Sequence, residues 1–167
     1  MDTNSHFEGN HESVGVENGF EIYPAALNII WGKDARYWKL PEGKSPATLV
    51  QVSWLEVTGW CDKVEPGTTY DIKFEVKLTS DAFGFNELPI YFMAKYGKKN
   101  IWKKIYLTKD ANADSDGLYL IPKNLTITTD KDIYDDNKLC FGLYEVWSGK
   151  WKGGLIIQKV LIQKMED

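Results

Sequence analysis

Two large aromatics seven positions apart, Trp31 and Trp38 in ALNIIWGKDARYWKL, flank a Gly-Lys-Asp-Ala-Arg stretch that has the chemistry of a loop. An indole in such a place either tucks inward and pins the loop or presents a flat apolar face on which something can lie. A second group of chemistry-bearing residues lies near the C-terminus. In KLCFGLYEVW, alternation puts Phe141, Leu143, Glu145 and Trp147 on one strand face. If Phe141 and Leu143 enter the core, Glu145 sits on the apolar side, where a carboxylate needs partners. If the strand has left the core by then, Glu145 is solvated. WSGKW follows, with a Ser148-Gly149-Lys150 turn between Trp147 and Trp151. A carboxylate, a turn and two indoles therefore gather at one end of the domain.

Other chemistries find little support. His6 and His11 fall in a segment expected to be flexible, there is no glycine-rich phosphate loop, and no second carboxylate stands out as a partner for Glu145. The reading is therefore of a protein that is not an enzyme and uses no cofactor. NADSDG (112–117) begins like a calcium loop, but its twelfth position is Lys123, so it reads as an acidic hairpin loop that holds no metal. DKDIYDD (130–136) reads as a solvated turn. In YGKKNIWKKIY, Lys98, Lys99, Lys103 and Lys104 interleave with aromatics, a pattern that serves single-stranded nucleic acid or a nuclear address. The plainer account is a solvent-facing lysine hairpin with Trp102 buried.

The elements that must position these groups are strands. YDIKFEVKL alternates, with Ile72, Phe74, Val76 and Leu78 on one face and Asp71, Lys73, Glu75 and Lys77 on the other. TLVQVSWLEVTGW, LPIYFMAKY, IWKKIYL, GLYLIP, LTITT, KLCFGLYEVW and GGLIIQKVLIQKM read as further strands with turns between them, and no long helical stripe appears. That succession predicts an all-β fold, a jelly-roll or sandwich of antiparallel strands, over residues 21–167 after a flexible tail at 1–20. Aromatics make up 14% of the chain, a level favoured by β-rich domains and by sugar-binding surfaces alike. A net charge of −4 argues against a general nucleic-acid binder. The N-terminus lacks the pattern of a secretory signal, and no run approaches the ~20 apolar residues of a membrane span, so a cytoplasmic location without membrane insertion is expected. Cys61 and Cys140 are then expected as structural free thiols, and the Asn124 sequon as unused.

The blocks NIIWGKDARYWKL, VSWLEVTGW, PGTTYDIKFEVKL and LYEVWSGKWKGGLIIQKVLI, in this order, resemble the phloem protein 2 domain, the family of Nictaba-type lectins. The resemblance spans about residues 26–163. It implies a jelly-roll sandwich that binds N-acetylglucosamine oligomers and glycoproteins carrying them, as a homodimer without metal, in phloem sap, with the nucleus as a second location. It also implies that Trp31, Trp38 and Glu145 form the sugar site, with Trp151 either in the site or structural; Trp147 and Lys152 join them as neighbours on the same turn. An acidic position seven residues before the strand carboxylate is Lys138 here, a departure from the family pattern. The alternative function is a structural or RNA-interacting phloem protein working through the lysine hairpin.

Overall fold

The alternation of YDIKFEVKL becomes the longest strand of the computed structural model, which describes residues 5–40, 42–130 and 137–166. In chain order the strands are β1 (Val14–Val16), β2 (Gly19–Ile22), β3 (Asn28–Ile29), β4 (Trp38–Lys39), β5 (Ala47–Leu49), β6 (Leu55–Cys61), β7 (Thr69–Phe83), β8 (Ile90–Tyr96), β9 (Lys99–Ile105), β10 (Tyr119–Ile121), β11 (Thr126–Thr128), β12 (Leu139–Glu145) and β13 (Gly153–Lys164). All ladders are antiparallel. One sheet centres on β13, which pairs with β7 on one side and with β2 and β5 on the other; β10 and β11 extend it beyond β7. The second runs β3-β6-β12-β8-β9.

The two inner faces meet at aromatic contacts. Phe74 of β7 packs against Phe92 of β8 at 5.5 Å and Phe141 of β12 at 6.0 Å, between ring centroids. Ile72, Phe74 and Val76 are fully buried, as their period of two predicts, and Leu78 packs partly buried at the margin. Each such side chain removed from water stabilises the fold by roughly 1.5–3 kcal/mol. Cys61 points inward from β6 while Cys140, beside it on β12, points outward, so alternation keeps the two sulfurs on opposite faces.

Two departures from the sequence reading matter for the site. TLVQVSWLEVTGW is not one strand: it divides into β5 in the first sheet and β6 in the second, and residues 50–54 cross between them. Val50 and Gln51 give their N–H groups to the Tyr37 carbonyl, and Val52 exchanges two bonds with Lys152. Second, the N-terminal segment from residue 5 onward is not a tail. Phe7 bridges Ile29, β1 and β2 form a hairpin with Asn18 at φ 67°, and β2 pairs with β13. His6 and His11 are correspondingly placed, one edge-on to Trp31 and the other stacked on Trp60. Residues 1–4 and most of the 130–136 turn lie outside the described residues. Among the described residues no helix is long and apolar enough to cross a membrane.

Candidate functional site

Trp31 opens the loop between β3 and β4, and its φ of 66° is left-handed, a region that a bulky residue enters only when its surroundings compel it. The compulsion is visible. Gly32 N–H bonds the Ile29 carbonyl at 3.0 Å, and Asp34 N–H bonds the Trp31 carbonyl at 3.1 Å. The Asp34 carbonyl then accepts from Tyr37 and Trp38, while its carboxylate takes the Arg36 guanidinium through three bonds, the shortest at 2.7 Å. A side chain on Gly32 would meet Phe7, so the N-terminal segment sets the back wall of this loop.

The loop delivers Trp31 and Tyr37 to one cleft and Trp38 to the core. Trp31 and Tyr37 meet edge-to-face at 5.7 Å, and Tyr37 lies 6.2 Å from Trp151, which is half exposed. Together with Val52 and Ser53 of the crossing segment they line an open cleft of about 240 Å³. Trp38, by contrast, is 2% exposed on β4 opposite Leu49, and its Nε1 has no hydrogen-bond partner. Tyr37 closes the turn that precedes β4 and Trp38 begins the strand facing inward, so of these adjacent rings it is Tyr37 that lines the cleft.

Behind the cleft lies an ion pair. Glu145 is 2% exposed and Lys152 fully buried. Lys152 Nζ donates to Glu145 Oε1 at 2.6 Å, to the Ser53 carbonyl at 2.7 Å and to the Lys150 carbonyl at 3.0 Å, which uses all three of its protons. Glu145 Oε1 also accepts from Ser148 Oγ at 2.5 Å, and the Ser148 oxygen in turn accepts from Lys150 N–H. Burial would raise the Glu145 carboxyl, but the bonds from Lys152 and Ser148 outweigh it and hold the group below its ordinary value. Burial pulls the Lys152 amine down, and the facing carboxylate offsets only part of that. The pair clamps the 148–150 turn to the crossing segment and so fixes where Trp151 stands.

Other residues marked from the sequence lie elsewhere. Trp147 turns away from the cleft and packs against Tyr91 at 4.6 Å on the outer face of the β3-β6-β12-β8-β9 sheet. Lys138 lies over Trp60 at the far end of β12, seven residues from Glu145, or about 23 Å of extended strand. The lysine hairpin does not form one patch. Lys99 bonds the Thr128 carbonyl and pairs with Asp130, Lys103 is half-buried, and Lys104 lies over Tyr106, while Lys98 is in the turn. Trp102, expected inside, is 46% exposed because it shares the outward phase of β9 with Asn100 and Lys104. The 112–117 loop is closed on itself, with Asp114 Oδ1 accepting from the N–H groups of Asp116 and Leu118. Tyr37, Val52 and Ser53 were missed by the sequence reading; Tyr37 stands in a turn and Val52 and Ser53 in the crossing segment, where strand periodicity gives no signal.

Fold and site together define an all-β protein of two antiparallel sheets with an aromatic cleft at the crossing between them. The chain belongs to the Phloem protein 2 family, which it matches over residues 17–164. It is 42% identical over 158 residues to Protein PHLOEM PROTEIN 2-LIKE A9 of Arabidopsis thaliana, covering 85% of each chain. To Protein PHLOEM PROTEIN 2-LIKE A1 of the same plant it is 26% identical over 161 residues, 87% of this chain and 61% of that one. A lectin of Luffa acutangula is 34% identical over 87 residues, 47% of this chain and 40% of the lectin.

Proposed function

We propose that this protein is a lectin that binds N-acetylglucosamine oligomers in the cleft of Trp31, Tyr37 and Trp151. The observation that carries the reading is the cleft itself: three aromatic rings of different orientation around about 240 Å³, beside polar groups of the Ser53 segment. A pyranose has an apolar C–H face that lies on an indole, and its hydroxyls need fixed partners in the same plane. Family membership and the partial likeness to a Luffa lectin support the same class of ligand.

Within this reading Trp31, Tyr37 and Trp151 touch sugar. Glu145 and Lys152 are positioning residues, because their hydrogen-bonding capacity is directed to each other, to Ser148 and to two backbone carbonyls. From the family the reading also carries a homodimer in phloem sap and no enzymatic step.

Calorimetric titration with N-acetylglucosamine trimer tests it. Saturable binding is expected in the wild type and is expected to weaken ten- to a hundredfold in Trp151→Ala, the loss of roughly 1–3 kcal/mol of indole contact. Raising salt from 50 to 200 mM is expected to leave the affinity unchanged, whereas a polyanion held by several lysines would be released steeply. Wild-type protein that gives no heat with the trimer would sink the assignment.

A further inference from the structure

The N-terminal segment ahead of β1 runs behind the cleft as a strap, and an imidazole holds its far end. Lys33 of the cleft loop donates its N–H to the Ser5 carbonyl at 2.9 Å, His6 stands edge-on to Trp31 at 5.5 Å, and Phe7 exchanges two backbone bonds with Ile29. Gly9 N–H donates to Asn28 Oδ1, and a Cβ on Gly9 would come within 2.3 Å of the Ala26 backbone, so the strap lies hard against the chain beneath it. Asn10 and His11 then donate to the carbonyls of Ala25 and Ala26. His11, at a left-handed φ of 58°, lays its ring flat on Trp60, with centroids 3.4 Å apart and planes 12° from parallel.

That ring has no place for a second proton. Both of its nitrogens are buried, and neither has a hydrogen-bond partner among the described residues. A neutral imidazole leaves one N–H unpaired there; an imidazolium would leave two and add a charge. An indole by itself attracts a cation, but Lys138 already places its ammonium over Trp60 at 4.2 Å. The imidazole fills one face of the indole at contact distance, so the ammonium occupies the other, and two cations would repel across the ring. Glu8, on the strap itself, is the charge among the described residues that opposes this. Burial prevails over Glu8, and together with Lys138 it holds the imidazole below its ordinary value of 6.5.

We propose that residues 5–13 are an acid-released latch on the glycan cleft: protonation of His11 frees it from Trp60, the strap lifts, and the loop of Trp31 and Tyr37 loses its back wall. The sign follows from where the proton goes. The docked ring binds fewer protons than the free one, so docking is fully favoured above pH 6.5 and weakens as pH falls below that value toward the lower docked one. With the free ring at 6.5, a pH of about 5.5 favours release by up to about tenfold over neutral solution. This window lies above the range in which Glu145 titrates. Coupling to glycan rests on the lectin reading of the cleft, whereas the latch itself does not.

Amide exchange across residues 5–13 of the full-length protein, read by mass spectrometry, tests the latch. Wild type and His11→Phe are expected to be comparably protected at about pH 7.5, and wild type to exchange up to about tenfold faster than the variant at about pH 5.5. Comparing the two proteins at one pH cancels the intrinsic acid dependence of exchange. A ratio that stays the same at both pH values overturns the proposal. Lys138→Glu replaces the ammonium over Trp60 with a carboxylate and is expected to keep the strap protected in acid. Should His11→Phe fail to dock at all, this variant decides, and acid release as large as that of wild type overturns the latch. Titration with N-acetylglucosamine trimer reads the coupling: affinity is expected to fall by about the same factor in wild type over this pH range and to hold in His11→Phe. Strap release with unchanged affinity overturns the link to the cleft. No trimer binding at either pH removes the lectin reading and that link together, and exchange still decides the latch.

Discussion

Lys152→Ala is expected to lower the unfolding free energy by about 3–5 kcal/mol and to abolish trimer binding in the cleft. The substitution strands a buried carboxylate. Glu145 loses the cation that pairs with it, and the carbonyls of Ser53 and Lys150 lose their shared donor. Desolvating two charges is costly, so the intact pair need not contribute much net stability; removing one partner leaves the other uncompensated. That asymmetry gives a sharper experiment. The double variant Glu145→Leu with Lys152→Met replaces both charges with apolar groups and is expected to recover most of the lost stability. Binding is not expected to return, because the side-chain bonds that tie the 148–150 turn to Glu145 and to the Ser53 carbonyl are gone and only the backbone pair of residues 52 and 152 remains. Urea unfolding and trimer titration on the three proteins separate the two effects, and a Lys152→Ala protein within 1 kcal/mol of wild type would show that the pair is not as buried as it stands here.

Acid provides a second readout of the same pair. The Glu145 carboxyl is held below its ordinary value of 4.5, so its contribution is complete above that value and is lost as pH falls through the folded-state value beneath it. Wild-type stability should therefore decline more steeply below pH 4.5 than that of Glu145→Gln, which carries no titrating group at this position. The buried Lys152 amine has the opposite sign on this side of neutrality: its lowered value makes the charged form a cost at any pH below the ordinary amine range. The steeper acid limb therefore belongs to Glu145.

The strands were legible because their faces differ in polarity. Ile72, Phe74 and Val76 alternate with charged residues, and a register slip of one would bury the charges. Glu145 was legible as a carboxylate on an apolar face in need of partners, and its partner proves to be Lys152, seven residues later and just before β13. What could not be read locally was the break in TLVQVSWLEVTGW. Alternation continues through residues 50–54 while the chain changes sheets, and only pairing with Tyr37 and Lys152, distant in sequence, reveals it. The ordered N-terminal segment was obscured by its polar composition; VGVENGFEI nonetheless contains an Asn-Gly turn signal between short strands. Trp147 and Trp151 were grouped because they share a turn, yet the turn separates them onto different surfaces.

Trp38→Ala is expected to cost about 3–5 kcal/mol of stability, the range for emptying a buried aromatic site. Loss of sugar binding in that variant would be uninformative, because the loop carrying Trp31 and Tyr37 ends on the strand that Trp38 anchors. Trp38→Phe is the informative change. It keeps a ring opposite Leu49 and removes an indole N–H that is buried without a partner, a burden of roughly 1–3 kcal/mol that offsets part of the lost packing. The phenylalanine variant is therefore expected to unfold within about 1 kcal/mol of wild type. It is also expected to bind N-acetylglucosamine trimer with affinity changed by less than about twofold, because a ring that is 2% exposed offers no face to a ligand. The resemblance to the family gives Trp38 a direct part in the sugar site, whereas burial gives it the task of anchoring the strand that the Tyr37 turn leads into. A Trp38→Phe protein of wild-type stability that had lost the trimer would decide for the family's assignment, and would require β4 to rotate its indole outward when sugar arrives.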